Sequence, residues 1–141
     1  MTTSRDLSEK LYKAGLEIET EKWHYLPCQS HGMIPWGEIC SREFAKTWNS
    51  EYVYPAYSTD ELLAVMPEYF ITNYCELSQI TILKIDKKYR VCYKDNSGVS
   101  AYKGERLVFT EDNLSEALGL MCLWLLQNGY HYDKEKKCLT K

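Results

Sequence analysis

Four side chains that can bind a metal ion, His24, Cys28, His31 and Cys40, lie close together in the sequence. Three, two and eight residues separate them, whereas a structural zinc ion needs four nitrogen or sulfur ligands in a tetrahedron. These intervals match no standard zinc finger. The same residue types could also form a cysteine nucleophile with a histidine base, but the sequence supplies neither an orienting group nor an oxyanion hole. The sequence therefore predicts no cofactor and keeps a metal site or a small enzyme as the alternative interpretation.

The surrounding segment, residues 23–57, is irregular in its periodicity and rich in aromatic side chains. It contains three of the four tryptophans of the chain. Rigid aromatic rings with a polar edge are typical of surfaces that recognise a ligand or a protein. Their other common use is as a packed cover over a sheet, and the sequence leaves both uses open. The candidate binding residues are Trp23, Tyr25, Trp36, Trp48, Tyr54 and Tyr57.

Two helices are predicted in the first half of the chain. Residues 5–14 carry an apolar stripe at helical spacing, and Gly15 follows as a left-handed C-cap. Ser58 begins the second helix, because its side chain and that of Glu61 form a capping box. Residues 41–48 could add one or two further helical turns.

A third helix is predicted from Asn113 to the stop signal at Asn128 and Gly129. Glu116 stands three residues after Asn113, which is a second capping-box pattern. Apolar residues cover nearly the whole circumference between these ends. The sequence therefore predicts a central helix that is packed on more than one side.

Strands are expected in much of the remaining chain, because β-branched and aromatic residues alternate with polar ones there. The sequence predicts a single α+β domain over residues 1–141, with an antiparallel β-meander and about three helices packed on it. The predicted strands are residues 80–85, 89–94 and 106–110, with a weaker one at 17–25 and an edge strand or tail at 130–139.

Composition limits the classes of partner. The formal net charge is −3, and acidic and basic residues are interspersed, so neither duplex nucleic acid nor an anionic membrane surface is a predicted partner. The most apolar stretch, residues 114–126, is too short to span a bilayer, and no signal peptide is visible. We therefore expect a cytoplasmic protein whose six cysteines are free thiols.

Short motifs along most of the chain give it a resemblance to a known group. They are residues 7–11 (LSEKL), 14–15 (AG), Trp23, 54–63 (YPAYSTDELL), 66–67 (MP), 89–93 (YRVCY), 113–118 (NLSEAL), 124–125 (WL) and 128–130 (NGY). In these motifs the chain resembles small uncharacterised proteins encoded by phages and prophages, especially those of gut Bacteroidetes. The resemblance implies a cytoplasmic accessory protein of α+β fold and assigns no catalytic residue.

Two functional hypotheses follow from the sequence. The first is a non-enzymatic binding or assembly module of phage or prophage origin, which binds a protein partner or associates with itself. The second is a small enzyme or metal-dependent protein with its site in residues 23–57. The first is favoured, because the chain contains no nucleophile elbow, no phosphate-binding glycine loop and no zinc-protease helix.

Overall fold

The computed structural model of the protein describes residues 1–25, 38–47, 53–67, 70–71, 76–77, 79–94 and 108–141. The helices in these stretches are α1 (Arg5–Lys13), α2 (Arg42–Lys46), α3 (Thr59–Val65) and α4 (Leu114–Gln127). The strands are β1 (Lys22–Tyr25), β2 (Glu38–Ser41), β3 (Val53–Ala56), β4 (Phe70–Ile71), β5 (Glu76–Leu77), β6 (Gln79–Ile85), β7 (Lys88–Lys94), β8 (Val108–Glu111), β9 (His131–Asp133) and β10 (Cys138–Thr140). These elements confirm the α+β class, and α2 is the short helix that residues 41–48 allowed.

The strand pairs in the described stretches are all antiparallel. β6, β7 and β8 pair in chain order and form the predicted meander. β1 does not join this meander, because it lies between β2 and β3 in a separate sheet. Both of its partners come from the irregular aromatic segment, and β3 contains Pro55, which is tolerated there because β3 is an edge strand. β4 pairs with β5, and β9 pairs with β10.

The predicted stop signals of α1 and α4 are confirmed. Gly15 has a φ of +99°, and the amide of Leu16 donates to the carbonyl of Leu11 at 3.1 Å. This reversal returns the Leu16 side chain into the core, where it is fully buried. Gly129, with a φ of +93°, has the same role after α4.

Only one of the two predicted capping boxes closes. At α3, the Ser58 side chain accepts from the Glu61 amide, and the Glu61 carboxylate accepts from the Ser58 amide. At α4, the Asn113 side chain caps the helix, but the Glu116 carboxylate accepts from the amide and hydroxyl of Ser4 instead. The second box is therefore wrong, because the N-cap residue of α1 lies close enough to compete for the carboxylate.

The core is built around α4, as its apolar circumference predicts. Leu118, Met121, Cys122 and Leu125 are fully buried, and the helix packs against α1, α3, β7 and β8. A helix with neighbours on several sides has little need for a polar face.

Residues before α1 form a buried polar junction that the sequence did not reveal. Thr3 donates its amide N–H to the carbonyl of Tyr57, the residue that follows β3, at 2.9 Å. Its hydroxyl accepts from the Tyr57 amide at 3.2 Å and lies 2.7 Å from the Ser8 hydroxyl. Its carbonyl accepts from His24 Nε2 at 2.8 Å. Thr3 therefore joins α1, β1 and the residues after β3.

The described cysteines bear out the thiol prediction as far as the structure reaches. Cys40, Cys122 and Cys138 carry free thiols. Cys92 and Cys122 are fully buried, and Cys122 lies in the hydrophobic core, where a thiol behaves as a small hydrophobe. Cys28 and Cys75 lie outside the described residues.

The length of α4 limits what this most apolar helix can do. It has 14 residues, fewer than a bilayer crossing requires. Across the described part of the chain, no helix combines the length and apolarity needed to span a membrane.

Candidate functional site

A cavity of about 370 Å³ lies where α2 and β1 approach the end of α1. This volume falls in the range of small-molecule binding sites. Two aromatic rings, two apolar side chains and four polar or charged side chains form its described lining. The lining residues are Tyr12, Glu19, Thr20, Trp23, Arg42, Ala45, Lys46 and Val53.

Short-range sequence features bring these residues to the cavity. Ser41 caps α2 by accepting from the Phe44 amide at 3.3 Å. The helix then presents Arg42, Ala45 and Lys46 on one side, because residues three and four apart share a helix face. This spacing is a signal within residues 41–48 that could have identified the cavity face of α2.

Two cations and one carboxylate line the cavity. The Arg42 guanidinium donates to Glu19 Oε2 at 3.1 Å and to the Thr20 carbonyl at 3.2 Å. The Glu19 side chain is 85% exposed, so this ion pair is screened and contributes little to stability. Within the described part of the chain, Lys46 has no carboxylate within 4.0 Å. The described lining therefore carries one more positive than negative charge, on a protein whose formal net charge is −3.

Trp23 supplies a wall of the cavity and carries a hydrogen-bond donor with no described acceptor. Its indole N–H is buried and has no partner among the described residues. A buried donor without an acceptor costs about 1–3 kcal/mol.

Two edge-to-face ring pairs connect the elements that supply the cavity lining. Tyr25 meets Phe44 of α2 edge to face, with ring centroids 5.1 Å apart, and Phe44 remains 41% exposed. Tyr54 meets the cavity residue Tyr12 at 6.1 Å, and its hydroxyl donates to Glu9 Oε1 at 3.3 Å. A hydrogen bond from Lys13 is the main cause of the lowered pKa of Glu9, so this acceptor is ionised at neutral pH.

The structure divides the six predicted binding residues into three groups. Trp23 lines the cavity, Tyr54 contacts the lining residue Tyr12, and Tyr25 contacts Phe44 of α2. Tyr57 lies in the core, where its side chain is fully buried and its hydroxyl donates to the Leu16 carbonyl at 2.9 Å. Trp36 and Trp48 lie outside the described residues. Sequence reasoning missed Tyr12, Arg42 and Lys46, which it treated as ordinary helix residues.

Two of the four candidate metal ligands, His24 and Cys40, are described, and the structure does not bring these two together. His24 pairs across the sheet with Ile39, whereas Cys40 pairs with Trp23. His24 and Cys40 therefore point to opposite faces of the sheet, because side chains alternate along a strand. Cys28 and His31 lie outside the described residues. In the described stretches, no group of three or more His, Cys, Asp or Glu side chains could hold a metal ion.

His24 makes the stability of the fold depend on pH. Its Nε2–H donates to the Thr3 carbonyl, so its buried Nδ1 is unprotonated and has no described partner. Burial is the main cause of the lowered pKa of His24. An unfolded histidine titrates at about pH 6.5 and therefore binds more protons than His24 just below that pH. We expect the free energy of unfolding to be highest above about pH 6.5 and to fall as the solution is acidified below it.

Urea titrations at pH values on both sides of this range measure the effect. His24→Gln should flatten the profile, because an amide can donate to the Thr3 carbonyl without titrating. His131→Gln is the matched control, since His131 is exposed, and this variant should keep the wild-type profile. Equal profiles for wild type and His24→Gln would contradict the assignment to His24.

A second cavity, of about 490 Å³, differs from the first in its charge. Its described lining includes the carboxylates Glu19 and Glu61, the single cation Lys137 and one aromatic ring, that of Tyr132. The first cavity is therefore the candidate site, because it combines two rings with an excess of cations. Comparison with family models, with curated proteins and with solved structures gives no match to this chain. Fold and cavity together define it as an α+β protein with a ligand-sized, cation-lined pocket.

Proposed function

We propose that this protein is a non-enzymatic binding module of phage or prophage type, and that the Trp23 cavity is its ligand site. The Trp23 cavity is the space lined by Tyr12, Trp23, Arg42 and Lys46 together with Glu19, Thr20, Ala45 and Val53. The observation that carries the proposal is a cavity of ligand size whose described lining combines two aromatic rings with two cations. Aromatic walls and a few polar groups are the usual composition of a binding pocket.

A binding role is favoured over catalysis by the state of the described cysteine in the sheet that holds Trp23. Burial raises the pKa of the Cys40 thiol, which keeps it protonated, and a protonated thiol is a poor nucleophile. His24 points to the other face of the sheet and donates to Thr3, so it is placed to hold the fold together. The described lining of the Trp23 cavity includes neither Cys40 nor His24.

The phage or prophage origin rests on the motif resemblance of the sequence. Its motifs are helix caps and core positions, such as the Ser58 cap and the residues of α4. The neighbourhood of the gene tests this part of the proposal: flanking phage genes would support it, and a conserved metabolic operon would contradict it.

Nuclear magnetic resonance with a panel of small-molecule fragments tests the ligand site. The four tryptophans of the chain give four indole N–H signals, and loss of one signal in Trp23→Phe identifies that of Trp23. We expect binding fragments to shift the Trp23 signal more than the signal of Trp124, which lies on α4. Absence of any fragment that shifts the Trp23 signal would contradict the proposal.

Replacing either of two alanines by leucine distinguishes effects inside the cavity from effects outside it. Ala45 lines the Trp23 cavity, so Ala45→Leu should fill it and abolish the shifts. Ala64 lines the second cavity, so Ala64→Leu adds the same bulk elsewhere and should leave the shifts intact. If Ala64→Leu abolished them as well, the fragments would not be binding in the Trp23 cavity. A melting curve for each variant separates lost binding from lost folding.

A further inference from the structure

We infer that the ligand of the Trp23 cavity is an anion with a flat aromatic or otherwise planar body, such as an aromatic carboxylate. This inference rests on the proposed function and adds the chemical class of the ligand. It follows from the arrangement of charges and rings in the cavity lining.

The first step is the charge of the cavity. Arg42 and Lys46 stand one turn apart on the same side of α2, and only Glu19 opposes them in the described lining. Glu19 reaches Arg42 from an exposed position and makes one bond to it, at 3.1 Å. The guanidinium has five N–H donors, so it keeps donors for a second partner.

Lys46 is the cation that a ligand can pair with at least cost. No described carboxylate lies within 4.0 Å of its ammonium group, so an incoming anion displaces no described ion pair. A carboxylate placed between Lys46 and Arg42 would accept charge-assisted hydrogen bonds from both, and these are stronger than bonds between neutral groups. A cationic ligand would meet repulsion from both groups.

The second step is the shape of the ligand. Tyr12 and Trp23 both line the cavity, and rings of this kind bind flat partners by stacking or by edge-to-face contact. Ala45 and Val53 are small, so the apolar part of the lining leaves room for a ring.

Naphthoate and naphthamide, substituted at the same ring position, are matched probes of this inference. They share one planar body and differ in the charge of the head group. Titration of each probe, followed by the Trp23 indole signal, should show naphthoate binding at least about tenfold more tightly, which corresponds to the strength of a charge-assisted bond. Lys46→Gln should remove most of that preference, because it should weaken the binding of naphthoate much more than that of naphthamide.

A lysine outside the cavity provides the charge control. Lys10 is exposed on α1 and has no described ion pair, so Lys10→Gln removes the same charge from the protein without touching the cavity. The preference for naphthoate should survive in Lys10→Gln. Its equal loss in both variants would overturn the assignment to Lys46, because net charge would then explain it.

The two proposals fail in different ways. If naphthamide binds the cavity as tightly as naphthoate, the ligand class is overturned and the binding site stands. If neither probe nor any fragment of the panel shifts the Trp23 signal, the proposed function itself is overturned.

Discussion

Truncating Leu118 or Leu125 to alanine is expected to lower the free energy of unfolding by about 2–5 kcal/mol. Both side chains are fully buried in the part of α4 that packs against α1, α3, β7 and β8. Each truncation removes buried apolar contacts and leaves a cavity, and surrounding elements on several sides prevent the core from closing it. Such a loss is a large part of the total stability of a protein of this size.

Urea unfolding of the two variants and of Leu83→Ala measures this effect. Leu83 lies on β6 and is 39% exposed, so its truncation should cost much less than that of either core leucine. A cost at Leu83 equal to that at Leu118 and Leu125 would show that α4 is not the energetic centre of the fold.

Replacing Thr3 by valine should lower the free energy of unfolding by about 1–3 kcal/mol. Valine has nearly the shape of threonine but no hydroxyl, so the Tyr57 amide loses its acceptor, while the Ser8 hydroxyl keeps the Thr3 carbonyl at 3.5 Å. The Tyr57 amide is buried, and an unsatisfied buried polar group costs its full desolvation free energy. The change in volume contributes little, because the methyl group of valine is similar in size to the hydroxyl group that it replaces.

The same substitution at Thr110 is the matched control. Thr110 lies on the edge strand β8 with an exposed side chain, so Thr110→Val should change the free energy of unfolding by less than about 0.5 kcal/mol. Thermal or urea unfolding of the two variants compares them directly. Equal free energies of unfolding for Thr3→Val and Thr110→Val would contradict a structural role for the hydrogen bonds of Thr3.

The Thr3 junction also bears on the candidate site. Thr3 holds His24 on one face of β1, while Trp23 lines the cavity. Because consecutive residues of a strand face opposite sides, fixing His24 also fixes the direction of Trp23. Variants at Thr3 should therefore be tested for folding before any loss of fragment binding is interpreted.

Local signals in the sequence determined most of the helices and the meander. Ser58 with Glu61, Gly15 and Gly129 act within one helical turn, so the sequence alone shows where those helices begin and end. The apolar circumference of α4 likewise required a central position. Strands β6 and β7 were predictable because their residues alternate and a short turn joins them.

Only the tertiary structure decided the contacts between residues far apart in the chain. Glu116 binds Ser4 rather than closing its own capping box. The two residues lie 112 positions apart in sequence and meet only when α1 packs beside α4, so the sequence around Glu116 does not show this contact. Tyr57 carries the same aromatic signal as Tyr25 and Tyr54, yet packing places it in the core.

The candidate cavity was also decided only by the tertiary structure. Tyr12, Trp23 and Lys46 come from three elements, and no periodicity relates them. The sequence determined that residues 23–57 hold many aromatic rings, since composition is local information. The tertiary structure decided which rings line a cavity and which cations lie beside them. Hydrophobic burial and strand pairing act between residues that are distant in sequence, so the local sequence at either residue does not show them.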